Sequence, residues 1–135
     1  MTIEREASCA CGKLRIACRG EPIRISICHC LACQRRTGSV FGMQARFLKE
    51  NVRHIAGDST LYVRAGDSGG TVSFHFCPNC GSTVYWELSG VPDVYAVAVG
   101  AFADPSFPAP RVSVYETRRH DWVDLTGLPA IERLG

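Results

Sequence analysis

Thr71-Val72-Ser73-Phe74-His75-Phe76-Cys77-Pro78-Asn79-Cys80-Gly81-Ser82-Thr83-Val84-Tyr85-Trp86-Glu87-Leu88 is the stretch on which the fold turns. In its first third Val72, Phe74 and Phe76 alternate with Thr71, Ser73 and His75, and in its last third Val84, Trp86 and Leu88 alternate with Tyr85 and Glu87. A period of two puts one side of the chain into a core and leaves the other wet, the pattern of a half-buried antiparallel strand. Between the runs, Cys77 and Cys80 flank a tight turn that aims both sulfurs at one point. Gly81 then lets the backbone approach a metal with no Cβ in the way. Two thiolates cannot close a tetrahedral site, so this knuckle needs a partner pair elsewhere.

Working outward, the same alternation recurs. Leu14, Ile16 and Cys18 share one face, with Lys13, Arg15 and Arg19 on the other. Ile23, Ile25 and Ile27 alternate with Arg24 and Ser26, and Val112 and Val114 with Arg111 and Ser113. Phe41–Leu48, Val52–Ile55 and Leu61–Val63 are weaker strand candidates, while Val94–Val99 is apolar on both faces and predicts a central or doubly covered strand. Helix signals are confined to Leu31–Arg36 and Thr117–Val123, and Phe102–Pro110, with three prolines, predicts a long irregular loop. The expectation is a mostly β domain of eight or nine short strands with few short helices.

A chain of 135 residues fits one domain, 1–135, and its 46% apolar and 21% charged residues exclude disorder as the whole story. The net charge of +2, without a Lys/Arg run, weighs against a nucleic-acid partner. No apolar signal core follows Met1, and the longest apolar run, Val94–Ala103, is far short of a membrane span, so the expected location is cytoplasmic. In a reducing cytoplasm the 8 cysteines read as metal ligands or catalytic thiols before disulfides. Exposed edges in a small β domain make a homodimer reasonable.

The cysteines fall into three clusters: Cys9-Ala10-Cys11-Gly12, Cys28-His29-Cys30-Leu31-Ala32-Cys33 and Cys77-Pro78-Asn79-Cys80-Gly81. Cys9 and Cys11 supply the pair that the Cys77–Cys80 knuckle lacks, which makes a closed, structural Zn²⁺ site with four sulfurs. Cys28, Cys30 and Cys33 hold a metal from one loop and leave a fourth position, the composition of a catalytic zinc site. Closure of that site by Cys18 or a histidine is the rival, and an iron–sulfur cluster a more distant one. Cys18 itself reads as a small buried hydrophobe, and His29, between two ligands, is expected to point away. Three thiolates on Zn²⁺ make a poor activator of water but a good holder of a substrate thiol, whose thiolate is then a nucleophile for an electrophile. Arg35 and Arg36 are candidates to compensate the added negative charge and bind substrate; a solvated helix face is their alternative. His75 and His120 read as surface histidines.

At these residues the sequence resembles the glutathione-dependent formaldehyde-activating enzyme family, which includes centromere protein V. The resemblance rests on Ser8-Cys-x-Cys-Gly, Cys28-His-Cys-x-x-Cys and Phe76-Cys-Pro-x-Cys-Gly, with Asp104-Pro105 and Asp121-Trp122-Val123 downstream, and covers residues 8–122. It implies a β-tent of stacked antiparallel sheets with two zinc ions, a structural one on Cys9, Cys11, Cys77 and Cys80 and a catalytic one on Cys28, Cys30 and Cys33. It further implies a carbon–sulfur lyase that joins glutathione to formaldehyde. Arg35, Arg36, Arg46 and Arg64 are candidates, by charge alone, to grip the glutathione carboxylates. Two other functions compete: a non-catalytic zinc-stabilised module binding protein or nucleic acid, and a redox or metal-handling protein using the middle cluster as a thiol reserve.

Overall fold

The computed structural model describes residues 2–66 and 69–135, and within them eleven strands form two sheets, accompanied by one α-helix. The small sheet joins β1 (Glu4–Ser8), β2 (Arg15–Arg19) and β5 (Val52–Ala56), all antiparallel. The large sheet uses β3 (Arg24–Cys28), β4 (Gly42–Leu48), β6 (Thr60–Ala65), β7 (Thr71–Phe76), β8 (Thr83–Leu88), β9 (Val94–Ala98), β10 (Val112–Val114) and β11 (Glu132–Arg133). Its order is β11-β10-β3-β4-β9-β8-β7-β6. The helix, α1 (Leu31–Thr37), follows the second cysteine cluster and ends on Gly38 in the left-handed conformation. Fold class and the central place of β9 match the sequence reading.

The two sheets bury a common core. Leu14, Ile16 and Cys18 from the β2 side meet Ile25, Ala45, Phe47 and Val97 of the large sheet, with Phe102 closing one side. Burying a residue of the Leu, Ile or Phe type is worth about 1.5–3 kcal/mol, so this layer is the main cohesive term. Cys18 is fully buried in it, as its parity predicts. The opposite face of the large sheet carries a second cluster, Val72, Phe74, Trp86 and Ala96. One row of cross-strand neighbours runs along that face: Arg24, Arg46, Ala96, Trp86, Phe74 and Tyr62, from β3 to β6. The functional site is built on this row.

Several sequence expectations are corrected. Val84 does not share a face with Trp86, because the β7–β8 ladder slips between His75 and Phe76 and leaves Val84 as a bulge turned into the first core. Ser113 is fully buried although alternation put it outside, because β10 pairs in parallel with β3 beside Ile27 and the C-terminal segment covers that side; Ser26, on the opposite face of β3, is fully buried as well. Ile23 lies before β3 and is 60% exposed. Thr117–Val123 is not a helix; only a single 3-10 turn forms, at Glu116–Arg118. β1 and β11 are strands that alternation did not reveal.

Candidate metal centres and an arginine-lined cavity

Cys9 and Cys11 sit in the loop from β1 to β2, and Cys77 and Cys80 in the knuckle from β7 to β8. The four sulfurs lie within 4.8 Å of one another, with 3.7 Å between Cys9 and Cys11 and between Cys11 and Cys77. Four sulfurs around a tetrahedral ion at ~2.3 Å would stand about 3.8 Å apart, so the donor set fits a metal such as zinc. The loops hold that geometry through backbone bonds: Leu14 N–H donates to Cys9 Sγ at 3.2 Å and Asn79 N–H to Cys77 Sγ at 3.4 Å. The glycine after each pair is needed for its backbone angle, φ +82 at Gly12 and +81 at Gly81. A Cβ at either glycine would meet no protein atom within 4 Å, so within the protein itself it is the backbone angle that calls for glycine.

The second group, Cys28, Cys30 and Cys33, likewise has its sulfurs within 4.8 Å. Cys28 ends β3, Cys30 caps α1, and Cys33 donates its backbone N–H to Cys30 Sγ at 3.3 Å. Hydrogen bonds from the Cys28 and Cys33 thiols lower the Cys30 thiol, while Cys28 is pushed up. Among the described residues no fourth Cys, His, Asp or Glu joins these three. Cys18 is buried between the sheets, and His29 turns away, its Nε2 2.9 Å from Ser113 Oγ. Ser113 in turn donates to Glu116, so its oxygen accepts from Nε2–H and sets the tautomer of the buried imidazole.

A cavity of about 290 Å³ opens on the three cysteines. Gly42, the β4 partner of Cys28, makes room for two of the lining residues: a Cβ there would stand 3.0 Å from Arg36 Nη2 and 3.3 Å from Cys33 Cβ. The Arg36 guanidinium lies 4.5 Å over the Trp86 ring and 5.3 Å over Phe74, while that of Arg64 lies 5.5 Å from the Phe74 centroid. A neighbouring cleft of about 470 Å³ shares Arg36, Arg64 and Phe74 and adds Arg35 and Tyr62. Of the arginines singled out by sequence, Arg36, Arg46 and Arg64 therefore border the thiols, whereas Arg35 faces only the outer cleft.

Arg24, Gln44, Phe74, Trp86 and Tyr115 also line the cavity and were missed as site residues. Strand parity held the signal for two of them: Arg24 shares a face with Cys28, and Gln44 with Gly42, and those faces are neighbours in the ladder. His75 is not a simple surface histidine. Its Nε2 is 2.8 Å from Glu87 Oε2, its Nδ1 2.8 Å from Ser59 Oγ, and its ring stacks on Tyr85 at 4.3 Å. His120 is exposed, bonded to Gln34 Oε1 at 3.0 Å, and lies outside the cavity.

Fold and site together define a mostly β protein with one four-cysteine and one three-cysteine centre, each able to hold a metal ion. Residues 4–118 match the family model described as glutathione-dependent formaldehyde-activating enzyme, and the chain belongs to that family. A Fusarium vanettenii protein named "Putative glutathione-dependent formaldehyde-activating enzyme" is 27% identical over 86 residues, covering 57% of this chain and 45% of the relative's length, so the match spans under half of that relative. The fold is shared with a Rhodobacter sphaeroides protein of known crystal structure, at TM-score 0.55 and 19% identity over 96% of this chain and 99% of that one. Among the described residues, no helix is long and apolar enough to cross a membrane.

Proposed function

We propose that this chain is a zinc-dependent carbon–sulfur lyase that makes and breaks the adduct of a thiol, glutathione or a close analogue, with formaldehyde or another small aldehyde. One zinc-stapled domain in the reducing cytoplasm carries the activity. The observation that carries the reading is the three-sulfur group at the wall of an arginine-lined cavity, with no fourth protein donor joining it among the described residues. Family membership supports the substrates, and the donor chemistry supports zinc.

Cys28, Cys30 and Cys33 would hold the catalytic ion, and Cys9, Cys11, Cys77 and Cys80 the structural one. Zinc at the three-cysteine centre supplies acidity to an incoming thiol, holding it as thiolate at neutral pH. The rest falls to the chain. Arg36, pinned over Trp86, and Arg64 put positive charge beside a centre that three cysteines make net negative. Phe74 and Trp86 give the aldehyde a dry wall. As the sulfur bonds to the carbonyl carbon, the C=O electron pair moves to oxygen, and the proton lost by the thiol ends on the new hydroxyl. The reverse step cleaves the adduct.

The test is a thiol-adduct assay on the zinc-loaded protein with glutathione and formaldehyde, set beside Cys30→Ser. The wild type should accelerate adduct formation, and the variant should lose at least ~100-fold while keeping its β circular-dichroism spectrum. Equal rates would remove the three-cysteine centre from the chemistry and favour a non-catalytic zinc module.

A further inference from the structure

The two ends of the large sheet are built differently. At one end β11 is two residues long, and both are exposed and charged, Glu132 and Arg133. Short, charged edges keep a sheet from pairing with other chains. At the other end β6 runs through Thr60-Leu61-Tyr62-Val63-Arg64-Ala65, with no proline or lysine, and among the described residues its ladder is with β7 alone. Leu61, Tyr62 and Val63 are 52%, 57% and 50% exposed. Tyr62 lies on the cavity face of the sheet, stacked beside Phe74, whereas Leu61 and Val63 lie on the opposite face beside His75 and Ser73. A partner packed on either face would cover one set and leave the other wet. A strand added to the edge covers both, because its side chains alternate between faces and its backbone meets the unpaired N–H and C=O groups of β6.

We propose that the strand on this edge is β6 of a second copy of the chain, antiparallel about a two-fold axis at Val63, so that two large sheets join edge to edge in a homodimer. Charge selects this occupant. Arg64 is the one charge on the strand and lies off the axis, so symmetric pairing sets no like charges opposite each other. In this register Val63 meets the partner's Val63 and Leu61 meets the partner's Ala65, an apolar seam on one face. On the other face Arg64 stands opposite the partner's Tyr62, and symmetry forms the same pair twice. Directly opposed side chains have Cβ atoms about 4.5–5.5 Å apart, within reach of a cation–π contact. The answer to Arg64 is thus a ring the chain already carries, with no acidic partner needed. The row of rings Trp86, Phe74 and Tyr62, on which Arg36 and Arg64 already lie, would continue into the partner's Arg64. Tyr62 and Arg64 both line the outer cleft, so each copy would extend the cleft of the other. The interface stands on the edge strand and does not rest on the reaction proposed above.

Analytical ultracentrifugation of the full zinc-loaded chain tests this. A seam of two strands is at the small end of interface sizes, so Kd should be about 1–50 µM. At about 200 µM, above that range, wild type should sediment as a dimer. Val63→Lys, which sets two ammonium groups opposite each other at the axis, should stay monomeric with an unchanged circular-dichroism spectrum. Val63→Thr, equally suited to a strand, should still dimerise. Tyr62→Leu, which removes both ring–guanidinium pairs and stays apolar, should weaken association about 5- to 30-fold. By hydrogen exchange, amides of β6 should be protected in dimeric wild type and lose that protection in Val63→Lys. A wild type that is monomeric at about 200 µM would overturn the proposal. So would a Val63→Lys chain that dimerises like wild type, or β6 amides that exchange equally fast with and without dimerisation, since either puts the contact elsewhere. Association of Tyr62→Leu as tight as wild type would overturn the register that sets Arg64 against the partner's Tyr62.

Discussion

At Gly42 a hydrogen stands where any other residue would press a methyl group onto Arg36 and Cys33. The guanidinium can swing aside, but the Cys33 Cβ belongs to a helix and yields only a few tenths of an ångström. Gly42→Ala should therefore cost about 1 kcal/mol or less of stability and disturb the site more than the fold. A chelator-competition assay should show metal leaving the three-cysteine centre several-fold faster, with the four-cysteine centre unchanged. Single residues are also where sequence reading succeeded most and failed most. All seven proposed ligands come together in two groups. A thiol two or three residues from another can reach one point whatever the rest of the chain does. The meeting of Cys9 and Cys11 with Cys77 and Cys80, 66 residues apart between Cys11 and Cys77, depends instead on the packing of the two sheets. His75, Arg24 and Ser113 were not legible in the same way, since their partners lie across strands and their surroundings depend on register.

At the scale of elements, the parallel pairing of β10 with β3 carries a lesson of this kind. Alternation identified both strands, but only the ladder that sets Ser113 opposite Ile27 explains why Ser113 is buried and bonded to His29. The same strand leads into Glu116, which accepts from Ser113 and is met by Arg119 Nε at 3.2 Å. Burial of Glu116 works to raise its carboxyl, but the Ser113 and Arg119 hydrogen bonds and nearby arginine charge outweigh it and hold the group below its ordinary value of 4.5. A carboxyl depressed on folding stabilises above its unfolded value, and the contribution disappears as pH falls through the folded value. Glu116→Gln should thus lower stability by about 1–3 kcal/mol at pH 7. The difference from wild type should shrink steadily below pH ~4.5 in thermal melts taken at several pH values. A constant difference across that range would mean that packing, not charge, carries the effect. The bulge at Val84 belongs to this scale too: a one-residue slip reassigns a side chain to the other core, and no period in the sequence announces it.

For the whole molecule, the four-cysteine centre ties the β1–β2 loop of the small sheet to the β7–β8 knuckle of the large one. Its metal would clamp together the two layers whose shared core is the main source of stability. The three-cysteine centre lies on the far side of the large sheet, within one loop and the first turn of α1, and bridges no layers. Stepwise chelation should therefore remove one equivalent of zinc with loss of activity and an unchanged circular-dichroism spectrum. Removal of the second should coincide with cooperative unfolding, because structural zinc contributes folding free energy directly. Mostly β character and two metal-type clusters were legible because short-range spacing and period two encode them. Of the arginines around the thiols, Arg36, Arg46 and Arg64 were legible only by charge and Arg24 not at all, because the arc is assembled by register across β3, β4, α1 and β6.

Zinc-edge X-ray absorption on the fully loaded protein, with and without glutathione, tests the central claim most directly. If the three-cysteine centre is open and receives the substrate thiol, the average should be about 3.5 sulfurs per zinc with a light-atom neighbour, rising to about 4 with glutathione. Four sulfurs per zinc both before and after addition would contradict an open, thiol-receiving centre.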